Sequence, residues 1–230
     1  MLVFEYRSKV KLKKDLPYEK TSESFAYFID SALGLDEHYL QFHERAGYKY
    51  YTYDMLYPIE KDGIYKKDKI YTVRIRTVKQ DLVEYFLGKL PFHCSEEFQG
   101  MGGELRIIPR KLLERIYSVT PILQKNDQGY WKRHMTLAEF EERLKVNLIK
   151  KYKCFTGEEL DEDFALYNVI EFKNKKPIKI AYKGIYLLGD KISLQIASNE
   201  TAQMLAYFAL GVGICDNNAR GAGFVNYRYL

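Results

Sequence analysis

The residues best suited to bind a phosphate lie near the end of the chain, between Leu210 and Tyr227. This stretch, LGVGICDNNARGAGFVNY, holds four glycines and one arginine, namely Gly211, Gly213, Arg220, Gly221 and Gly223. Glycine-rich backbone leaves N–H groups uncovered and lets a phosphate approach closely. The guanidinium of Arg220 supplies a fork of donors that suits a phosphodiester or a guanine edge. The pattern predicts an anion-binding loop, and the alternative is a connection whose glycines only allow positive φ angles.

A second stretch holds residues that could carry protons. His43 lies six residues before Lys49 and sixteen after Tyr27, and His38 lies five residues before His43. Imidazole titrates near pH ~6.5, so a histidine can act as base or acid at neutral pH. On a helix the five-residue spacing would set the two histidines about 140° apart, whereas in a loop they could converge. For each histidine alone, a surface or packing role is the alternative.

Regular elements that could position these groups are visible in the hydrophobic pattern. Val3–Leu12 alternates apolar and charged residues, which is typical of a half-buried strand. Residues 21–34 show an apolar stripe at helical spacing, and residues 35–49 show no clean period. After the N-capping residue Asn199, apolar residues again recur at helical spacing, and Gly211 occupies the position of a C′ glycine.

Residues 71–77 also read as a strand. Tyr71, Val73, Ile75 and Thr77 share one face, which places Arg74 and Arg76 together on the other.

The order of predicted elements indicates the fold class. Strand, helix, strands, helix and strand precede Thr120-Pro121. The second half repeats the alternation of helices and strands, and its first helix opens with a capping box formed by Thr136 and Glu139. We therefore predict an α+β protein made of two tandem ferredoxin-like (RRM-like) domains with antiparallel sheets. The predicted domains span residues 1–120 and 121–230.

Composition limits the class of protein. The 230 residues are 47% hydrophobic and 29% charged with a net charge of +5, so the chain can bury a core. Its three cysteines form no CxxC pair, which favours a reducing compartment and gives no zinc site. The acidic run at 158–163 lacks the pattern of a calcium loop. No signal peptide or membrane-length apolar run is present. We expect a soluble cytoplasmic protein with no cofactor and no metal.

The terminal pattern of helix, G-x-G, seven residues, G-x-G-F and strand resembles the glycine-rich signature of the CRISPR-associated endoribonucleases that process precursor CRISPR RNA. The segment HERAGYKYYTYDML resembles the part of that family where a histidine precedes a lysine at a strand opening. The chain has Tyr50 where the family often has Pro, and Asp54 where it often has Ser. The resemblance covers nearly the whole chain, including TPI at 120–122.

The resemblance implies an activity and a set of site residues. His43 matches the catalytic histidine, Lys49 the lysine beside the phosphate and Tyr27 the family's tyrosine, while His38 corresponds to the second histidine of some members. The glycines 211, 213, 221 and 223, together with the arginines 74, 76 and 220, would bind RNA. The implied reaction is attack of a 2′-OH on the adjacent phosphate of the CRISPR repeat, leaving a 2′,3′-cyclic phosphate without a metal.

Two other functions remain open at this point. A non-cleaving relative could hold guide RNA with the other subunits of a CRISPR effector complex. An unrelated α+β enzyme could bind a small phosphorylated substrate at the glycine-rich loop, and a strong dependence of affinity on RNA length and salt would exclude it. The expected partner is CRISPR repeat RNA, with no membrane, and the protein is expected to be a monomer or a homodimer.

Overall fold

The computed structural model describes residues 1–182 and 184–230. It contains five α-helices of at least eight residues within that range: α1 (Tyr18–Leu33), α2 (Glu37–Glu44), α3 (Gln80–Lys89), α4 (Leu137–Thr156) and α5 (Glu200–Val212). The strands are β1 (Val3–Leu12), β2 (Leu16–Pro17), β3 (Tyr51–Tyr53), β4 (Ile64–Tyr65), β5 (Ile70–Thr77), β6 (Phe98–Ile108), β7 (Leu113–Ser118), β8 (Tyr167–Phe172), β9 (Ile178–Tyr182), β10 (Ile185–Gly189), β11 (Ile192–Ile196) and β12 (Val225–Tyr229). None of the helices described is long and apolar enough to cross a membrane.

The first half is built on a four-stranded antiparallel sheet with the order β3-β5-β1-β6. β1 occupies the predicted residues, and its apolar face of Phe4, Tyr6, Val10 and Leu12 is buried. The predicted stripe of α1, including Phe25, packs into the same core. With α1 after the first strand and α3 before the last, the half has the ferredoxin-like arrangement.

The second half repeats this topology. Its antiparallel sheet has the order β12-β7-β11-β8, with α4 after its first strand and α5 before its last. The predicted capping box opens α4, since the side chains of Thr136 and Glu139 each bond the other's backbone N–H. A hairpin of β9 and β10 is inserted between the second and third strands, and β9 packs against α1. The α+β prediction of tandem ferredoxin-like halves with antiparallel sheets is confirmed.

Three elements differ from the sequence prediction. Residues 37–44 form α2, which the aperiodic sequence did not reveal because this short helix buries no residue fully. Strand β7 pairs in the second sheet, so the sheets change over between Ile108 and Leu113, before the predicted division at residue 120. Helix α5 continues through Gly211 to Val212 and ends at Gly213, so Gly211 is not its C′ residue.

The two halves share buried contacts. Val3, Val78 and Ile108 of the first half belong to the core cluster of the second. Arg76 is fully buried and donates to Glu5 Oε2 at 2.7 Å and to the carbonyl of Val225 at 2.6 Å. This arginine therefore ties the outward face of the first sheet to β12 and leaves no exposed surface for RNA, which corrects its prediction as an RNA contact.

Candidate active site

A cleft of about 300 Å³ lies where the end of α2 faces the loop after α5. Both halves of the molecule contribute to it, so neither half forms it alone. The first half supplies Asp30, His43, Gly47, Tyr48, Lys49, Tyr50 and Tyr51, and the second supplies Lys125, Lys151, Tyr182, Val212 and the six residues 215–220.

Helix α2 sets the position of His43. Asp36 caps its start by accepting a hydrogen bond from the N–H of Tyr39 at 3.3 Å. The eight-residue helix then places His43 in its last turn. His43 Nδ1 lies 3.2 Å from Oδ1 of Asp30 on α1, and both side chains are half-buried. Nε2 is therefore the ring nitrogen left for a ligand.

Asp30 also contacts the second half of the molecule. Its Oδ2 forms an ion pair with Nη1 of Arg220, so one carboxylate lies between the predicted catalytic histidine and the predicted phosphate-binding arginine. Burial alone would lower the pKa of Arg220, but the hydrogen bond and the charge of Asp30 outweigh it and raise the pKa. Arg220 is thus a permanent cation at the wall of the cleft.

Lys49 binds the end of α2, the helix that carries His43. Its Nζ donates to the carbonyls of Phe42 at 2.6 Å, His43 at 2.8 Å and Arg45, which are the otherwise unsatisfied acceptors at the end of α2. Burial lowers the pKa of Lys49, Asp30 opposes that shift, and Arg220 and Arg45 add to it. Its ammonium caps the helix that carries His43 and lines the cleft at the same time.

The loop from Gly213 to Gly223 is braced from inside by two polar side chains. Asn218 donates to the carbonyls of Ile214 and Ala222, both at 3.0 Å, and accepts from Lys151 at 2.6 Å. Lys151 is buried and also donates to the carbonyls of Gly213 and Cys215. Burial lowers the pKa of Lys151 to about 8, partly opposed by Cys215 and Asp216. The loop is therefore a packed structure that holds Arg220 at its surface.

The glycines shape this loop and do not offer free amides. The N–H groups of Gly213, Gly221 and Gly223 donate to the carbonyls of Ala209, Asn218 and Pro121. A Cβ on Gly223 would lie 2.1 Å from the carbonyl oxygen of Ile214, and its φ of +67° suits glycine. Gly211 packs inside α5 against Val78. The predicted contact between glycine amides and a phosphate is thus replaced by a structural role.

The other predicted site residues lie outside the cleft. Tyr27 is 60% exposed on α1, about 60° around the helix from Asp30. His38 is exposed near the start of α2. The helix separates it from His43, as the five-residue spacing requires. Arg74 lines a different groove, and Asp54 accepts from its N–H at 2.7 Å and from its Nε at 2.5 Å.

Sequence reasoning missed Asp30, the residue that joins the two sides of the cleft. It belongs to the predicted helix of residues 21–34 and lies off the apolar stripe. A carboxylate on the polar side of that helix was the available signal, but its partners are 13 and 190 residues away in sequence. Only the packing of α1 against both α2 and the terminal loop brings them together.

The protein thus has two ferredoxin-like halves and a polar cleft between them. A model of the C-terminal domain of the CRISPR-associated protein Cas6 matches residues 111–227, just over half of the chain. The chain therefore belongs to the Cas6 family, and its general role is the binding and processing of CRISPR repeat RNA. The predicted family is confirmed.

Several solved structures share this fold. A structure described as CRISPR associated protein Cas6 has a TM-score of 0.74 at 20% identity, covering 98% of this chain and 99% of that one. A RAMP protein described as binding different RNA substrates has a TM-score of 0.71 at 19% identity, with 99% and 100% covered. A Cas6-related protein from Pyrococcus furiosus has a TM-score of 0.68 at 16% identity, with 99% and 98% covered. No curated protein matches this chain in sequence.

Proposed function

We propose that the protein is an endoribonuclease that cleaves CRISPR repeat RNA within the precursor transcript. The 2′-OH would attack the adjacent phosphate, and the products would carry a 2′,3′-cyclic phosphate and a 5′-hydroxyl. The observation that carries this proposal is that His43, Lys49 and Arg220 line one cleft between the two halves. The first half would supply the catalytic segment and the second the glycine-rich loop.

Each group in the cleft has a role that its surroundings favour. The Nε2 atom of His43 would carry the proton, because Nδ1 lies toward Asp30. Arg220 would hold the scissile phosphate from the terminal loop, and Lys49 would add positive charge while keeping the end of α2 in place. Arg74, on a separate groove with Arg7 and Lys9, would contact RNA away from the reaction. Tyr27, on the exposed side of α1, would contact RNA beside the cleft.

The role of His43 is tested by replacing it with alanine. We expect His43→Ala to lower single-turnover cleavage of the cognate repeat by about 10²–10⁴, the usual cost of losing a general acid or base, while RNA affinity changes little. His38→Ala provides the comparison, since His38 lies on the same helix but outside the cleft, and it should stay within a few-fold of the parent. A His43→Ala variant that cleaves at nearly the parent rate would remove His43 from the mechanism.

The chemistry is tested by the product ends. Because side chains would supply both the proton transfers and the positive charge, cleavage should proceed in excess EDTA and leave a 2′,3′-cyclic phosphate on the upstream fragment. Mass spectrometry of both fragments is the measurement. A 3′-hydroxyl with a 5′-phosphate, or loss of activity in EDTA that added Mg²⁺ restores, would point to metal-assisted hydrolysis instead.

One observation favours the second candidate, a non-cleaving RNA-binding subunit of a CRISPR effector complex. In the free protein two cations of the cleft are already engaged, Arg220 by Asp30 and Lys49 by three carbonyls. A subunit of this kind would bind the repeat tightly and with a steep salt dependence, and would release no fragments at any pH. Cleavage by the parent protein excludes it.

A further inference from the structure

Asp30 joins three elements of the molecule at one carboxylate. Its Oδ1 lies 3.2 Å from His43 Nδ1 on α2, and its Oδ2 is paired with Arg220 from the terminal loop. Its side chain is 18% exposed, against 28% for His43 and 35% for Arg220. Oδ1 is buried and accepts no hydrogen bond from the residues that the structure describes.

A buried carboxylate oxygen without a donor is costly, and His43 is the group placed to supply one. The Nδ1 atom is already within ion-pair distance, but its N–H is not aligned as a hydrogen bond. A small rotation of the imidazole would align Nδ1–H with Oδ1. The same rotation fixes the tautomer, because a ring nitrogen that donates to a carboxylate leaves the other nitrogen free as an acceptor.

We propose that Asp30 is a positioning residue for the cleavage reaction, orienting His43 through Nδ1 and holding Arg220 until an RNA phosphate replaces it. This inference rests on the proposed endoribonuclease function. In this role Asp30 acts through its two partners, His43 and Arg220. The carboxylate keeps the Nε2 lone pair of His43 directed at the 2′-OH or, after protonation, keeps Nε2–H directed at the leaving oxygen.

The ion pair with Arg220 links RNA binding to this orientation. A guanidinium binds a phosphate as well as a carboxylate, so an RNA phosphate entering the cleft competes for Arg220. When the phosphate takes the guanidinium, Asp30 keeps its contact with His43 and loses its other partner. The catalytic histidine is then aligned most strongly when a phosphate occupies the cleft.

Other ionisable groups surround this pair and enter any pH dependence. Lys49 and Arg45 lie at the end of α2, Arg220 comes from the terminal loop, and Tyr51 lies behind Asp30 on β3. Burial first, and then the charge of Asp30, raise the pKa of Tyr51, so it stays neutral near pH 7. Asp30 is the carboxylate at His43, since Asp216 across the cleft is occupied by Lys125 N–H and Asn147.

The first test is Asp30→Asn, with Glu44→Gln as the control because Glu44 is an exposed carboxylate next to His43 on α2. We expect Asp30→Asn to cut single-turnover cleavage at saturating protein at least about tenfold. RNA affinity should stay the same or become tighter, because Arg220 loses its competing carboxylate. Glu44→Gln should match the parent in both.

The second test does not depend on cleavage. Long-range ¹H–¹⁵N spectra of the RNA-free protein, with His43→Ala used for assignment, report which ring nitrogen carries the proton. We expect Nδ1–H in the parent and a shift toward Nε2–H in Asp30→Asn. In a His43→Ala background, Asp30→Asn should cause no further loss of rate, because the two residues act as one unit.

The outcomes separate this inference from the proposed function. If the parent does not cleave repeat RNA, the proposed function fails, and the spectra still report on the Asp30–His43 contact. If the parent cleaves but Asp30→Asn keeps the parent rate and tautomer, the positioning role is wrong and the function stands. If Asp30→Asn loses RNA affinity and melts early, with an unchanged tautomer in its folded fraction, Asp30 is only structural and the inference is overturned.

Discussion

At the scale of single residues, Lys49 was predicted to lie beside the phosphate, but its ammonium is bound to backbone carbonyls of the protein. Its three donors are used by carbonyls at the end of α2, so its first effect is on the placement of His43. We expect Lys49→Met to lower the free energy of unfolding by about 1–2 kcal/mol, because the acceptors lose a charged partner. Cleavage should fall by more than that loss of folded protein explains.

Lys79→Met is the matched control for this prediction. Lys79 lies 5.3 Å from the ring of Phe42, as Lys49 does, but pairs with Asp81 and not with the helix carbonyls. Denaturant unfolding and single-turnover cleavage of both variants are the measurements. Equal effects of the two substitutions would show that general positive charge near Phe42, and not capping of α2, is what matters.

At the scale of elements, the terminal loop depends on close backbone packing. Gly223→Ala would place a Cβ 2.1 Å from the carbonyl oxygen of Ile214 at a φ of +67°, so steric strain adds to the cost of the left-handed conformation. We expect a loss of stability well above the about 1 kcal/mol that the conformation alone costs. The folded fraction should still bind RNA, since the N–H of Gly223 donates to Pro121.

Gly129→Ala measures the cost of the positive φ angle alone, without a steric clash. Gly129 has a φ of +89°, and no atom lies within 4 Å of the Cβ that alanine would add. Thermal and denaturant melts of the two variants give the difference that is due to packing. If Gly223→Ala were no less stable than Gly129→Ala, the loop would be looser than its contacts indicate.

At the scale of the whole molecule, the halves are joined by a buried ionic group. Burial would raise the pKa of Glu5, but the charge of Arg76 and hydrogen bonds from Arg106, Arg76 and Arg7 lower it from 4.5 to about 2. Because the pKa is lower in the folded state, ionised Glu5 stabilises the fold fully above pH 4.5. This contribution is lost as the pH falls toward 2.

Glu5→Gln should therefore lower stability at pH 7 by about 3–5 kcal/mol, because Arg76 stays buried without its partner. Its unfolding free energy should then fall less steeply than that of the parent between pH 4.5 and 2. The control is Glu114→Gln, whose partner Arg228 is exposed. Denaturant unfolding across this pH range measures the difference. Parallel curves for the parent and Glu5→Gln would show that Glu5 does not cause this pH dependence of stability.

Local pattern was enough to predict much of the fold. The alternation of β1, the stripe of α1, the Thr136–Glu139 capping box and the Asn199 cap are all present. These features depend on neighbours within about four residues, so periodicity and capping chemistry reveal them directly. The family followed from the order of short motifs along the chain, and with it the choice of His43 and Arg220 as candidate site residues.

Tertiary structure alone decided which polar groups meet. Arg74 and Arg76 share one strand face in the sequence, yet Arg76 is buried under the second half while Arg74 borders a groove. Alternation shows which face a side chain takes but not what covers that face. Likewise, Asp30 acquires its role only because α1 packs between α2 and a loop 190 residues away. Contacts between distant segments depend on the packing of whole elements, which no local pattern contains.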